Sequence, residues 1–309
     1  MKIVIIGAGA MGSVFGAKIS EVADTLLINP ENPHTDAVIK NSLIIEDPEG
    51  IKKKFKVKLI CDYKTVTDKF DAAIILTKSY KTKEASYAAK KLLKNNGIAL
   101  TLQNGIGNIE IISSIIGEDK TVAGVTAHGA TLVSAGYVRH AGVGDTYLAK
   151  KPNKKNLIEN LIQIFEKAGI KVLISDNINS IIWGKLIINV GINAIAAILK
   201  TKNGIIGDMP ESFKIVKNAA EEAVEIAKAI KITLPFDDPI KQVKTVCQKT
   251  ANNRASMLQD ITNRKKTEIE FINGAIVDYG KKLNIQTPYN KILTEIIQAS
   301  EAAYNNKKT

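Results

Sequence analysis

Arginine is almost missing from this chain. Among 309 residues it occurs only as Arg139, Arg254 and Arg264, although lysine and arginine together number 43. The guanidinium fork is the group best suited to base edges and phosphates. A net charge of +12 carried by dispersed lysines therefore argues against a nucleic-acid partner. The lysines cluster only briefly, at Lys52–Lys54 and Lys307–Lys308. They read as a solvated surface that attracts small anions. Cysteine is nearly as scarce. Cys61 and Cys247 give no metal-ligand spacing, and inside a reducing cell a disulfide is not expected. The three histidines lack spaced acidic or thiol partners, which excludes a metal centre of the usual patterns. The opening MKIVIIGAGAMG has none of the parts of a secretory signal. Apolar runs are broken by polar residues short of the ~20 that span a bilayer. The expectation is a cytoplasmic protein without membrane association.

What is present is apolar content of 45% and a mean hydropathy near zero, as in a folded chain. The length allows one large core or two medium ones, and two domains fit better. The first half alternates strand and helix patterns: strands over 2–6, 25–28, 72–76, 98–102 and 122–126, helices over 11–21, 82–94 and 108–116. Such alternation predicts a parallel sheet covered on both faces. Gly136–Ala149 alternates in strand fashion between glycines and predicts a hairpin appended to that sheet. A helix over 156–168 and a strand over 171–174 complete the half. Beyond Ser175 the patterns are helical, over 177–199, 212–231, 240–251, 268–283 and 289–305. The fold class predicted is α/β, an N-terminal Rossmann-type doubly wound sheet over 1–175 followed by an all-α C-terminal domain over 176–309.

Gly7, Gly9 and Gly12 form GAGAMG directly after the first strand and at the opening of a helix. Gly7 allows a tight turn, Gly9 lets the backbone approach a pyrophosphate, and Gly12 lets helix and strand pack closely. The free N–H groups of the helix start complete an anion site. Gly7, Ala8, Gly9, Ala10, Met11 and Gly12 are thus candidate dinucleotide contacts. The second strand should end in a residue that reads the adenosine ribose, acidic for NAD or arginine nearby for NADP. Asn29 stands there, followed by Pro30, Glu31 and Asn32, so the residues leave both cofactors open. Ligands in open parallel sheets bind beyond the carboxyl ends of the strands. Lys78, Asn104 and, more weakly, His128 fall at such ends, whereas His34 and His140 carry no site pattern.

The most informative stretch is Trp183–Ile198, WGKLIINVGINAIAAI. Lys185, Asn189 and Asn193 recur every four residues in an otherwise apolar helix. Each step of four drifts by only ~40°, so the three share one face over roughly 12 Å. A buried amide without a partner costs about 1–3 kcal/mol, and an unpaired ammonium more. The face therefore lines something polar, either a ligand or an internal network. Ser256–Asn273 forms a second polar segment, with Ser256 a candidate helix cap and one of Glu268 and Glu270 facing inward beside Ile269 and Phe271.

Together GAGAMG, TKSYKT at Thr77–Thr82, QNGIGN at Gln103–Asn108, WGKLIINVGINAIAAI and SMLQDITNRKKTEIEFING resemble the ketopantoate reductase (2-dehydropantoate 2-reductase) family, in order over nearly the whole chain. The resemblance implies reduction of ketopantoate to D-pantoate on the route to pantothenate and coenzyme A, with NADPH as hydride donor. It implies that Lys78, Asn104, Ala130 and Glu268 join the glycine loop around the cofactor, and that Lys185 donates the proton. Asn104, Asn189, Asn193, Asn203 and Ser256 would contact the substrate. It also suggests a homodimer. The family's usual arginine after the second strand is Asn29 here, which leaves NADH as an alternative. Two other readings stand beside this one: an NAD-dependent D-2-hydroxyacid dehydrogenase acting on other branched 2-oxo acids, and a non-catalytic dinucleotide-binding regulator that binds nucleic acid.

Overall fold

The computed structural model describes residues 1–306 and resolves into two compact units, residues 1–103 with 108–178 and residues 104–107 with 179 onward. In the first unit the order is β1 (Lys2–Ile6), α1 (Ala10–Ser20), β2 (Asp24–Ile28), α2 (Pro33–Asn41), β3 (Leu43–Glu46), β4 (Lys52–Phe55), β5 (Lys58–Ile60), β6 (Phe70–Ile75), α3 (Thr82–Leu92), β7 (Leu93–Thr101), α4 (Asn108–Ile116), β8 (Thr121–Thr126), β9 (Gly129–Ser134), β10 (Tyr137–Gly142), β11 (Thr146–Ala149), α5 (Lys155–Lys167) and β12 (Val172–Ser175). The main sheet runs β12-β11-β8-β7-β6-β1-β2-β5. Its strands are parallel except where β11 meets β8.

Side chains of a strand alternate between the two faces of its sheet. In β1 this sends Ile3 and Ile5 to one face, against Phe15 and Ile19 of α1 and Phe165 of α5. Val4 and Ile6 go to the other, with Ala85, Ala88 and Leu92 of α3 and Ile112 of α4. The near-continuous apolar runs of β1, β6 and β7 follow from burial on both faces. Strand order reverses at β1, which has β2 on one side and β6 on the other. That reversal is the topological switch point where such sheets bind ligands.

The predicted Gly136–Ala149 hairpin is corrected. The strand β10 pairs antiparallel with β9 and parallel with β3, in a second sheet ordered β4-β3-β10-β9. The strand β11 instead joins the main sheet between β8 and β12. Alternation reveals a strand but not its partner, and here two successive strands go to different sheets.

The second unit is helical: α6 (Ile178–Leu199), α7 (Asn203–Asp208), α8 (Pro210–Ala229), α9 (Pro239–Lys249), α10 (Ser256–Thr262), α11 (Asn273–Leu283) and α12 (Pro288–Asn306). Among the described residues α6 alone is long and apolar enough to cross a membrane. Trp183, Leu186, Ile187, Val190 and Ala194–Ala197 are buried there against α8, α9 and α11, as in a core helix. The helix predicted over 268–283 is two elements, a 3₁₀ turn over Ile269–Phe271 and then α11. Buried Glu222 of α8 accepts from Tyr289 N–H at 2.8 Å and Asn290 N–H at 3.0 Å. A carboxylate is favoured at these open donors of the α12 start.

Candidate active site

The glycine loop closes the gap between β1 and α1. Gly7 has φ +101°, and a Cβ there would come within 2.5 Å of Thr77 N at the end of β6. A Cβ on Gly12 would lie 1.8 Å from Gly7 O. Gly9 is different, since a Cβ built on it meets nothing within 4 Å. It is exposed and occupies the N-cap position of α1 without capping it by a side chain, and the first turn holds no acidic residue. Open space over uncapped N–H groups is the arrangement a pyrophosphate requires. The residues present therefore fit a dinucleotide.

The supports of this loop lay outside the sequence reading. Asn29 turns inward, and its Oδ1 accepts the Ala8 N–H at 3.1 Å. Gly7 N–H donates to Ile28 O at 2.8 Å. Beneath the loop, Ser13 Oγ donates to Ala8 O at 3.2 Å and lies 3.0 Å from His34 Nε2. His34 Nδ1 accepts Gly136 N–H at 3.0 Å, so the neutral ring carries its proton on Nε2. His34 thus ties the phosphate loop to the β9–β10 turn. Its partners are 21 and 102 residues away, a distance no local pattern encodes.

Beyond β6 and β7, Gln103 Nε2 reaches Thr77 O at 3.0 Å and Thr82 Oγ1 at 2.9 Å, fixing the ends of the two strands. Lys78 follows Thr77, half-buried, and starts a 3₁₀ turn. Ala130 is in β9 opposite His140 and packs with Val14 and Ala17 of α1. His128 is buried, its Nδ1 2.8 Å from His140 Nε2 and its ring edge-on to Phe15. Burial first, then His140 and Lys18, lowers its pKa to about 4. It is neutral near pH 7 and belongs to the packing of the first unit.

The second unit holds the other candidates. Half-buried Lys185 and Asn189 and buried Asn193 lie on α6. Burial lowers the Lys185 pKa from 10.5 to about 8, and the nearby Glu268 opposes that shift. Glu268 is 4% exposed, whereas Glu270 is exposed and pairs with Lys266 at 3.0 Å. The inward carboxylate of the pair is therefore Glu268. The loop bearing Asn104 is fastened beside it: Ile106 N–H donates to Phe271 O at 3.1 Å, and Gly105, at φ +78°, passes too close to Phe271 for a Cβ. Asn104, Lys185 and Glu268 thus belong to one compact unit.

Asn203 is buried with Nδ2 donating to Thr250 Oγ1 at 2.9 Å, and its Oδ1 has no partner among the described residues. Ser256 is the first residue of α10, half-buried, and Ala255 occupies the cap position. The serine is therefore not the cap of this helix. Burial raises the Cys247 thiol to about 11, as for a small core hydrophobe.

A doubly wound sheet with an open glycine loop at its switch point, followed by a helical unit with a perturbed lysine, defines a class: the Rossmann-type oxidoreductases. Comparisons carry the assignment further. Residues 3–153 match the family Ketopantoate reductase PanE/ApbA, and residues 177–301 match Ketopantoate reductase PanE/ApbA C terminal. The chain belongs to the ketopantoate reductase family. It is 35% identical to a 2-dehydropantoate 2-reductase of Pyrococcus abyssi, over 99% of this chain and 100% of the relative. A D-mandelate dehydrogenase solved with NADH and anilino(oxo)acetate is 30% identical at a TM-score of 0.91, covering 99% of this chain and 100% of the other. A PanE/ApbA family ketopantoate reductase from Ralstonia eutropha is 29% identical at 0.89, covering 98% and 99%.

Proposed function

We propose that the protein reduces a 2-oxo acid, with ketopantoate the substrate and D-pantoate the product, on the route to pantothenate and coenzyme A. The observation that carries the reading is Lys185, a lysine of pKa about 8 beside Glu268 on the same helix face as Asn189 and Asn193. A bound reduced nicotinamide supplies the hydride. The family resemblance implies NADPH, and the departure at Asn29 leaves NADH open.

As the hydride adds to C2, the carbonyl π bond breaks and negative charge grows on its oxygen. Lys185 stabilises that charge, then its Nζ–H bond breaks and the product O–H forms. Solvent returns the proton to the lysine. Asn189, Asn193, Asn203 and Ser256 offer neutral donors and acceptors to carboxylate and hydroxyl. Asn104 serves both ligands. Glu268 keeps Lys185 protonated and orders the nicotinamide side of the site.

The D-mandelate dehydrogenase likeness favours a second reading, in which the acid carries another side chain. Apolar bulk alone separates such substrates by only ~1–3 kcal/mol. The test follows NADPH and NADH oxidation separately with ketopantoate, benzoylformate and aliphatic branched 2-oxo acids. The highest kcat/KM is expected with ketopantoate, and preference for another acid selects the second reading. Replacing Lys185 with Ala should lower turnover at least ~100-fold with dinucleotide affinity nearly unchanged. Near-normal turnover in that variant removes Lys185 as the proton donor.

A further inference from the structure

The backbone donors of the loop after β2 are, with one exception, already taken. Asn29 N–H donates to Ile60 O, and Asn32 N–H to Thr35 Oγ1. The His34 and Thr35 N–H groups both go to Asn32 Oδ1, the capping box of α2. Positions 30 and 33 are prolines, without an N–H. Among backbone donors from 29 to 35 this leaves that of Glu31. The helix start that would receive an anion is therefore already satisfied, in contrast to the uncapped start of α1.

The charges point the same way. Glu31 is exposed at the tip of the loop, 19 positions after Gly12. The neighbouring strand β5 is in register with β2 at Ile28–Ile60 and ends there, and the chain then continues through Cys61 to exposed Asp62. Asp62 spends one carboxylate oxygen on the Lys64 N–H at 2.8 Å. No arginine occurs before Arg139, and that residue pairs with Glu46. Lys58 is bonded to Asp24 at the other end of β2, at 3.1 Å. Lys64 is the lysine that follows Asp62.

Resting on the dinucleotide reading above, we infer that Glu31 reads the adenosine ribose as a free 2′-hydroxyl and excludes a 2′-phosphate, so that this chain takes NADH. A carboxylate accepts the ribose hydroxyl and repels a phosphate at the same place. Asn29 takes no direct part, because its side chain is committed to the glycine loop and to Pro30 O.

The test is calorimetric titration of the full chain with ADP-ribose and with ADP-ribose 2′-phosphate, which reports binding without turnover. ADP-ribose should bind at least about tenfold more tightly. Glu31→Gln should shrink that ratio, and Glu31→Arg should reverse it. Lys64→Ala should leave the ratio in place. Equal or tighter binding of the 2′-phosphate by the unaltered protein overturns the inference while leaving the dinucleotide site standing. A ratio indifferent to Glu31→Arg, or loss of 2′-phosphate binding confined to Lys64→Ala, overturns the role of Glu31. Failure of both ligands to bind overturns the dinucleotide reading as well.

Discussion

A lysine of pKa about 8 is mostly protonated at pH 7 and still gives up its proton more readily than one in water. Those are the two requirements on a general acid working near neutrality. The shift has a cost with a definite sign. The folded state disfavours the ammonium, so Lys185 weakens folding below pH 8, and the penalty is relieved as pH rises from about 8 towards 10.5. A half-buried, desolvated ammonium that lowers stability at the working pH points to selection for chemistry. The same shift sets a pH profile. Reductive kcat/KM should be level below about pH 8 and fall close to tenfold per unit above it, as Lys185 deprotonates. Glu268 raises the lysine's pKa, so Glu268→Gln should move the break to lower pH, in addition to any loss of rate. A break that stays in place or moves upward in that variant disproves the coupling. Lys185 was legible in the sequence because a charged residue interrupts an apolar helix. The choice of Glu268 over Glu270 was not, because both adjoin apolar residues and only the 3₁₀ turn at Ile269–Phe271 decides which faces inward.

At the scale of the element, the β1–α1 turn separates the two tasks of a glycine. Gly12 has no room for a methyl group, whereas Gly9 has open space. Replacing Gly12 with Ala should push α1 off β1, destabilise the first unit and abolish ADP-ribose binding. Replacing Gly9 with Ala should change stability by less than ~1 kcal/mol, because its φ of −73° suits any residue. It should still weaken ADP-ribose by tenfold or more, since the new methyl stands where the backbone must be approached. Chemical denaturation and titration of the two variants separate these effects, and equal binding by Gly9→Ala and the unaltered protein would disprove the placement. The turn was readable from glycine spacing alone. Its supports were not, since His34 meets Ser13 and Gly136 across 21 and 102 residues of sequence. The pairing of β10 and β11 was lost for a related reason, because strand patterns are local and sheet membership is not.

At the scale of the molecule, each unit carries its own core. The sheet separates one apolar cluster around Phe15 and Phe165 from another around Phe70 and Leu92, and the helical unit buries α6 among α8, α9 and α11. A ligand held by the glycine loop and the Glu31 tip should therefore stabilise one unit more than the other. At a hundredfold excess over its dissociation constant, a ligand that binds only the folded form adds about 2.7 kcal/mol. Amides that exchange only when the first unit opens should then slow by roughly a hundredfold. Hydrogen exchange of the full chain with saturating ADP-ribose should show this slowing in peptides covering β1, the glycine loop and residues 29–35. Peptides from α8 and α12, whose polar ties run through Glu222 and Asn290 within the helical unit, should exchange at their unliganded rates. Slowing of equal size in α8 and α12 would mean that the two units open as one, and no slowing at the glycine loop would place the dinucleotide elsewhere.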